Sequence, residues 1–202
     1  MPLFPLHTVL FPGGTLNLRI FEERYLNLIR HCSHDVCGFI VVLIRQGREV
    51  KDIPTLYDIG TLATIVDFGD LPGGLLGITV QGTRRFRIHG VRSRPDGLLL
   101  GHGELLPVDA PPPLPQHLAV LDDLLELLAG TNPINIPRND HSNHQSSAEK
   151  GGVEKSRDSA ALAWRLGERL QVPNHEKQAL LEMHDPLLRL EFIGELLSLS
   201  PM

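Results

Sequence analysis

The densest set of metal-binding side chains lies in "HCSHDVC", which brings His31, Cys32, His34 and Cys37 close together in the chain. Cysteine and histidine are the ligands zinc prefers, and four of them suffice for a tetrahedral structural site. The spacing matches no common zinc module, however. Cys32 also falls on the apolar face of the helix that the surrounding residues predict, and a buried free cysteine is an ordinary core residue. No metal or other cofactor is therefore expected, and the remaining histidines, which show no ligand-like spacing, are assigned surface or structural roles.

Other chemistry-bearing patterns are tested by what the chemistry requires. A phosphate cradle needs glycines that lead directly into a helix, so that free backbone N–H groups and the helix dipole face the anion. The glycines of "FPLHTVLFPGG", Phe4 to Gly14, lead instead into an alternating, strand-like stretch. Pro72 to Gly74 does the same, so both Pro-Gly-Gly segments read as joints between strands. G-x-x-x-x-G-K-[ST], G-x-S-x-G and H-E-x-x-H are all absent, which removes the common nucleotide, serine-hydrolase and zinc-hydrolase signatures. A cryptic hydrolase using dispersed carboxylates, or the His31 to Cys37 cluster, stays open as a third reading.

"TRRFRIHGVRSR", Thr83 to Arg94, concentrates Arg84, Arg85, Arg87, Arg92 and Arg94 around Phe86. On a strand, Arg85 and Arg87 share one face while Phe86 and Ile88 take the other, which predicts a row of arginines on a solvent side. Arg84, Arg85, Arg87 and Arg92 form the candidate interaction patch, for phosphates or an acidic partner. The acidic balance of the chain favours the plainer reading, a solvated face whose arginines pair with nearby acids.

The chain has 202 residues, 42% hydrophobic and 21% charged, with a formal net charge of -5. That length can bury roughly 70% of its unfolded surface, as one large domain or two small ones. The negative charge argues against a surface built throughout for nucleic acid, and no DNA is expected. Two cysteines are too few for a disulfide framework. The N-terminus lacks a charged n-region and is broken by Pro2, Pro5 and Pro12, unlike a signal peptide. The longest apolar run, Gly38 to Ile44, is far short of the ~20 residues a membrane helix needs. A soluble, cytoplasmic protein without a membrane partner is the expectation.

The first half reads as strands interrupted by one helix. "TLNLRIF" alternates Leu16, Leu18 and Ile20 with Asn17 and Arg19, a half-buried strand. "FEERYLNLIRHC" changes period and places Phe21, Tyr25, Leu28, Ile29 and Cys32 on one helical face. "GFIVVLI" is a continuous, β-branched run suited to a buried central strand. Further strands are predicted at "GTLATIVDF", at "GLLGITVQG" continuing after a turn into "RRFRIHGVR", and at "LLLGHGELLP". "RPDG", Arg94 to Gly97, is a turn in which Pro95 presets one dihedral and Gly97 tolerates positive φ. Such an arrangement suggests a small barrel or two packed sheets.

At "DAPPPLP", Asp109 to Pro115, proline stiffens the chain and removes donors, and the domain boundary is placed there: a barrel over 1–110, helices over 111–202. "LAVLDDLLELLA" puts Leu118, Leu121, Leu125 and Leu128 on one face. The stretch from Thr131 to Ser156 is polar and rich in turn formers, and is predicted to be a mobile loop. Helical spacing resumes with Leu162, Leu166 and Leu170, and Trp164 reads as core. Asn174 is the predicted cap of the next helix; Asp185 and Pro186 open the last.

"PLFPLHTVLFPGGTLNLRIFEERYLNLI", Pro2 to Ile29, resembles the start of the N-terminal substrate-binding domain of Lon proteases, and of its stand-alone bacterial relatives. The resemblance rests on Pro5, Leu6, Val9, Phe11, Pro12, Gly13, Leu18, Ile20, Phe21, Glu22, Arg24 and Tyr25. It is supported by "GFIVVLI", "GTLATIV", "GTRRFRI" and "EKQALLEMHDPLLRLEFIGELL", and so covers most of the chain except the loop. It implies an α+β fold, a PUA-like β-barrel followed by a helical bundle, and a partner that is polypeptide. Complete Lon proteases also carry an ATPase module and a serine-lysine protease module. Neither is visible in these residues, so a non-catalytic polypeptide-binding module is expected, with RNA binding as the alternative because PUA-like barrels elsewhere recognise RNA. Aromatic residues make up only 5% of the chain, which weakens a base-stacking platform.

Overall fold

A computed structural model describes residues 1–34, 38–47, 54–109, 112–130 and 158–199. The expected loop at 131–156 lies outside them. The elements are β1 (Leu3–Leu6), β2 (Thr15–Ile20), α1 (Glu23–His34), β3 (Phe39–Gln46), β4 (Thr55–Leu56), β5 (Ile59–Leu71), β6 (Leu75–Ser93) and β7 (Leu99–Leu105). They are followed by a 3-10 turn (Gln116–Leu118), α2 (Val120–Gly130), α3 (Ser159–Arg169), α4 (Asn174–Glu182) and α5 (Pro186–Leu199).

The apolar run of β3 lies between two partners: β1 runs parallel to it and β5 antiparallel. Phe39 to Ile44 are all buried, which is why the run shows no polar alternation. A parallel neighbour requires a crossover, and α1 supplies it, with Tyr25, Leu28 and Ile29 buried among Leu18, Ile20, Phe39 and Val41. The path continues β3-β5-β6-β2, and β7 pairs with the second half of β6. The circuit closes where Pro2 bridges Leu100 and the Met1 carbonyl accepts a 2.8 Å bond from Gly101 N. The fold is thus α+β, a small PUA-like barrel followed by helices.

β6 departs from expectation, because no turn divides it: the strand is continuous from Leu75 to Ser93. Gly82, at its middle, serves close approach instead. Gly13 N donates to Gly82 O at 2.8 Å and Gly82 N to Gly14 O at 2.9 Å, and a Cβ on Gly82 would stand 2.3 Å from the Phe11 carbonyl oxygen. The first Pro-Gly-Gly thus turns the chain, with Gly13 at φ 82, and lays it on β6 at a residue without a side chain.

α1 begins only at Glu23, so helical period does not govern Phe21. That side chain is 62% exposed instead of packed on the apolar face. The helices pack as their leucines predict: Leu121, Leu125, Leu162, Leu166, Leu180, Leu190 and Ile193 form one core. The same core takes Phe11, Ile59 and Leu106 from the strand region. Asp158 caps α3 by accepting from Ala160 N and Ala161 N, and Asp185 accepts from Leu187 N at the start of α5. Asn174 does not cap α4. It is the first helical residue, and its amide donates to the His7 carbonyl, tying α4 to the barrel.

Candidate functional site

The arginine strand was the sequence's main candidate surface, and packing divides it. Arg85 is only 4% exposed. Its Nη1 donates to the Leu181 and Met183 carbonyls at 3.2 and 2.7 Å, and its Nη2 meets an Asp109 oxygen at 2.6 Å. The second Asp109 oxygen accepts from Arg189 Nη2 at 3.1 Å, and Arg189 also donates to the Leu180 and Met183 carbonyls. Arg189 lies 3.4 Å over the Trp164 ring and is fully buried. Two cations thus share one carboxylate and an indole face at the seam between sheet and helices.

Burial pushes both guanidinium groups below their ordinary range, Arg189 to about 10, while Asp109 pulls each back toward the charged form. Both remain cations at neutral pH. The expectation that Arg85 shares a solvent face with Arg87 is therefore corrected: the end of α4 and the residue before the proline-rich stretch cover that part of the sheet. Arg84 is half-buried and donates to the Leu106 carbonyl at 2.9 Å. Arg87 is half-buried beside His184, 3.3 Å away. Arg92 is exposed, so the strand presents no continuous row of arginines to solvent.

The residues carrying the family resemblance pack into the barrel, the seam and the start of α1. Pro5 and Leu6 pair with Val42 and Leu43. Phe11 is buried against Trp164, with Pro12 and Gly13 forming the turn beside it. Tyr25 stacks on Phe4 with ring centroids 4.1 Å apart. Arg24 lies 4.7 Å over that tyrosine, bonds the Gly97 carbonyl at 2.9 Å and pairs with Glu22 at 2.7 Å. Arg24 thereby fastens the start of α1 to the Arg94–Gly97 turn.

The side chains of His31, Cys32, His34 and Cys37 lie outside the described residues. Among the described residues no group of three or more histidine, cysteine, aspartate or glutamate side chains is placed to hold a metal ion.

A second surface was not singled out from sequence. Beyond Ala63, β5 continues with β6 into a hairpin arm that carries β2 on its far edge. Gly73 and Gly74, with φ of 85 and 74, make the turn at its tip. On the arm Val66 is 53% exposed, Phe68 51% and Leu75 38%, beside Asp67 and Asp70. The signal in the sequence was "TIVDFGDL", where an aromatic residue sits among aspartates and glycine.

A mixed-sheet barrel closed through its N-terminal strand, with a helical bundle buttressed on a buried Arg–Asp–Arg network, defines an α+β domain. The model of the ATP-dependent protease La (LON) substrate-binding domain matches residues 1–198, so the chain belongs to that family. The crystal structure of a Lon N-terminal domain protein from Xanthomonas campestris is similar at TM-score 0.75 and 32% identity, covering 100% of this chain and 98% of that one. The N-terminal domain of Mycobacterium avium complex Lon protease shares the fold at TM-score 0.67 and 18% identity, covering 99% of this chain and 98% of that one. The Lon protease of Porphyromonas gingivalis is 31% identical over 109 residues, 53% of this chain and 13% of that protein. The Lon protease of Endomicrobium trichonymphae is 24% identical over 208 residues, 98% of this chain and 24% of its own length. The chain thus spans a quarter or less of these curated relatives. Among the described residues no helix is long and apolar enough to cross a membrane.

Proposed function

We propose that the chain is a non-catalytic module that binds polypeptide, either unfolded protein or a partner protein, in cytoplasmic protein quality control. The observation that carries this reading is the match of residues 1–198 to a family defined as a substrate-binding domain. The geometry supports it in two ways. The seam between barrel and helices is filled by Phe11, Trp164 and the Arg85–Asp109–Arg189 network, which leaves the sheet surface for ligands. Large apolar side chains stand exposed on that surface, as expected of a protein-binding face.

RNA binding has lost support, since Arg85 is taken up inside the protein and Arg84 bonds a carbonyl. Fluorescence anisotropy with labelled, permanently unfolded model proteins and a peptide array tests the proposal. Saturable binding in the micromolar range, insensitive to RNase, is expected. Absence of binding at high micromolar concentration, or retention of RNA instead, would overturn it.

A further inference from the structure

We infer that the β5–β6 arm is the docking site for an extended polypeptide segment in which a large apolar residue stands beside lysine or arginine; this deepens the polypeptide-binding reading and rests on it. Cross-strand register carries the first step. Phe68 stands opposite Ile78, and Ile78 opposite Leu18, so the three share one face of the sheet. Leu18 and Ile78 are buried at 7% and 3%, whereas Phe68 is 51% exposed. The next row is Asp70, Leu76 and Ile20 on the same face. The apolar floor of the barrel core thus runs out onto the arm and opens to solvent there.

The register shift between Ile65 and Asp67 leaves Val66 without a cross-strand partner, also exposed. Single exposed apolar side chains are normal on any protein, but a contiguous set continuing a core face marks a docking surface. Among the described residues β3 pairs β5 only over Thr61–Ala63. The outer length of β5 therefore suits an occupant that is itself extended.

Charge selects the occupant. From Thr55 to Gly82 the sequence holds Asp58, Asp67 and Asp70 but no lysine or arginine. Among the described residues neither Asp67 nor Asp70 is engaged in an ion pair. The cation that register brings nearest, Arg19, stands opposite Gly77, on the face that also carries Asp67 and hence on the other face from Phe68 and Asp70. An apolar shelf bordered on its own face by the Asp70 carboxylate, with Asp67 on the reverse face of the same outer strand and accepting from Phe68 N, attracts a cationic, apolar segment and repels an acidic one.

The test uses the whole chain and three peptide series of equal length and apolar content, carrying lysine, glutamate or serine beside the apolar residue, read by fluorescence anisotropy. Wild type is expected to bind the lysine series best, with a preference that shrinks as salt rises. Phe68→Ser should weaken every series by about tenfold, as loss of a central aromatic contact does. Asp67→Lys with Asp70→Lys should invert the order of the lysine and glutamate series. Val108→Ser, at a side chain 75% exposed in the segment after β7, serves as the control and should match wild type. If wild type binds unfolded protein but the Phe68 and aspartate variants bind all three series as wild type does, the arm proposal falls and the broader reading stands. If wild type binds neither peptides nor unfolded protein, both fall.

Discussion

The seam between barrel and helices and the β5–β6 arm are built from the same ingredients, an aromatic ring, aspartate and apolar neighbours, yet they end in opposite environments. At the seam Trp164, Arg85, Arg189 and Asp109 are all withdrawn from water, and each charge has a partner. On the arm Phe68 and Asp70 stay exposed and uncommitted. A buried charge must be compensated inside the protein, because desolvation is severe. An exposed one needs no partner and remains free to recognise something else. Stability therefore concentrates at the seam and the proposed recognition at the arm, although the sequence places its most conspicuous charge cluster on the strand that supplies the seam.

This contrast can be broken by substitution. Asp109→Ala leaves two buried guanidinium groups sharing no carboxylate, and should destabilise the fold by about 3–5 kcal/mol in chemical denaturation. A change under about 1 kcal/mol would show that water reaches the network. Gly82→Ala forces a methyl group against the Phe11 carbonyl and should cost about 1–3 kcal/mol, the range for overpacking at a rigid contact. Asp158→Ala removes the α3 cap and should cost about 1 kcal/mol, read as a lower thermal midpoint. Phe68→Ser should change stability by no more than about 0.5 kcal/mol while weakening peptide binding. Loss of stability comparable to that of Asp109→Ala would mean that the arm belongs to the core.

Much of the architecture was legible because each signal was local. The alternation of Leu16, Leu18 and Ile20, the unbroken run of β3, the glycine in the Arg94–Gly97 turn and the aspartate cap at Asp185 all describe neighbours in the chain. The readings that changed depended on distant partners. Arg85 and Arg87 follow strand alternation like any other pair, but whether their side of the sheet is solvent depends on Leu181, Met183 and Asp109, far along the chain. The turn expected between "GLLGITVQG" and "RRFRIHGVR" is absent because a glycine within a strand, here Gly82, has two meanings, a bend or a close approach, and only Phe11 and Gly13 decide between them. Phe21 fitted a helical face by spacing, but the helix starts two residues later.

By itself the sequence determined the α+β class, the order of most elements, the single early helix and the resemblance to the Lon substrate-binding domain, all of which rest on period, caps and short motifs that operate within a few residues. Tertiary structure alone decided which charges are buried and which apolar side chains remain exposed. Burial is a property of what packs over a residue, and at both the seam and the arm that covering, or its absence, is set by segments remote in sequence.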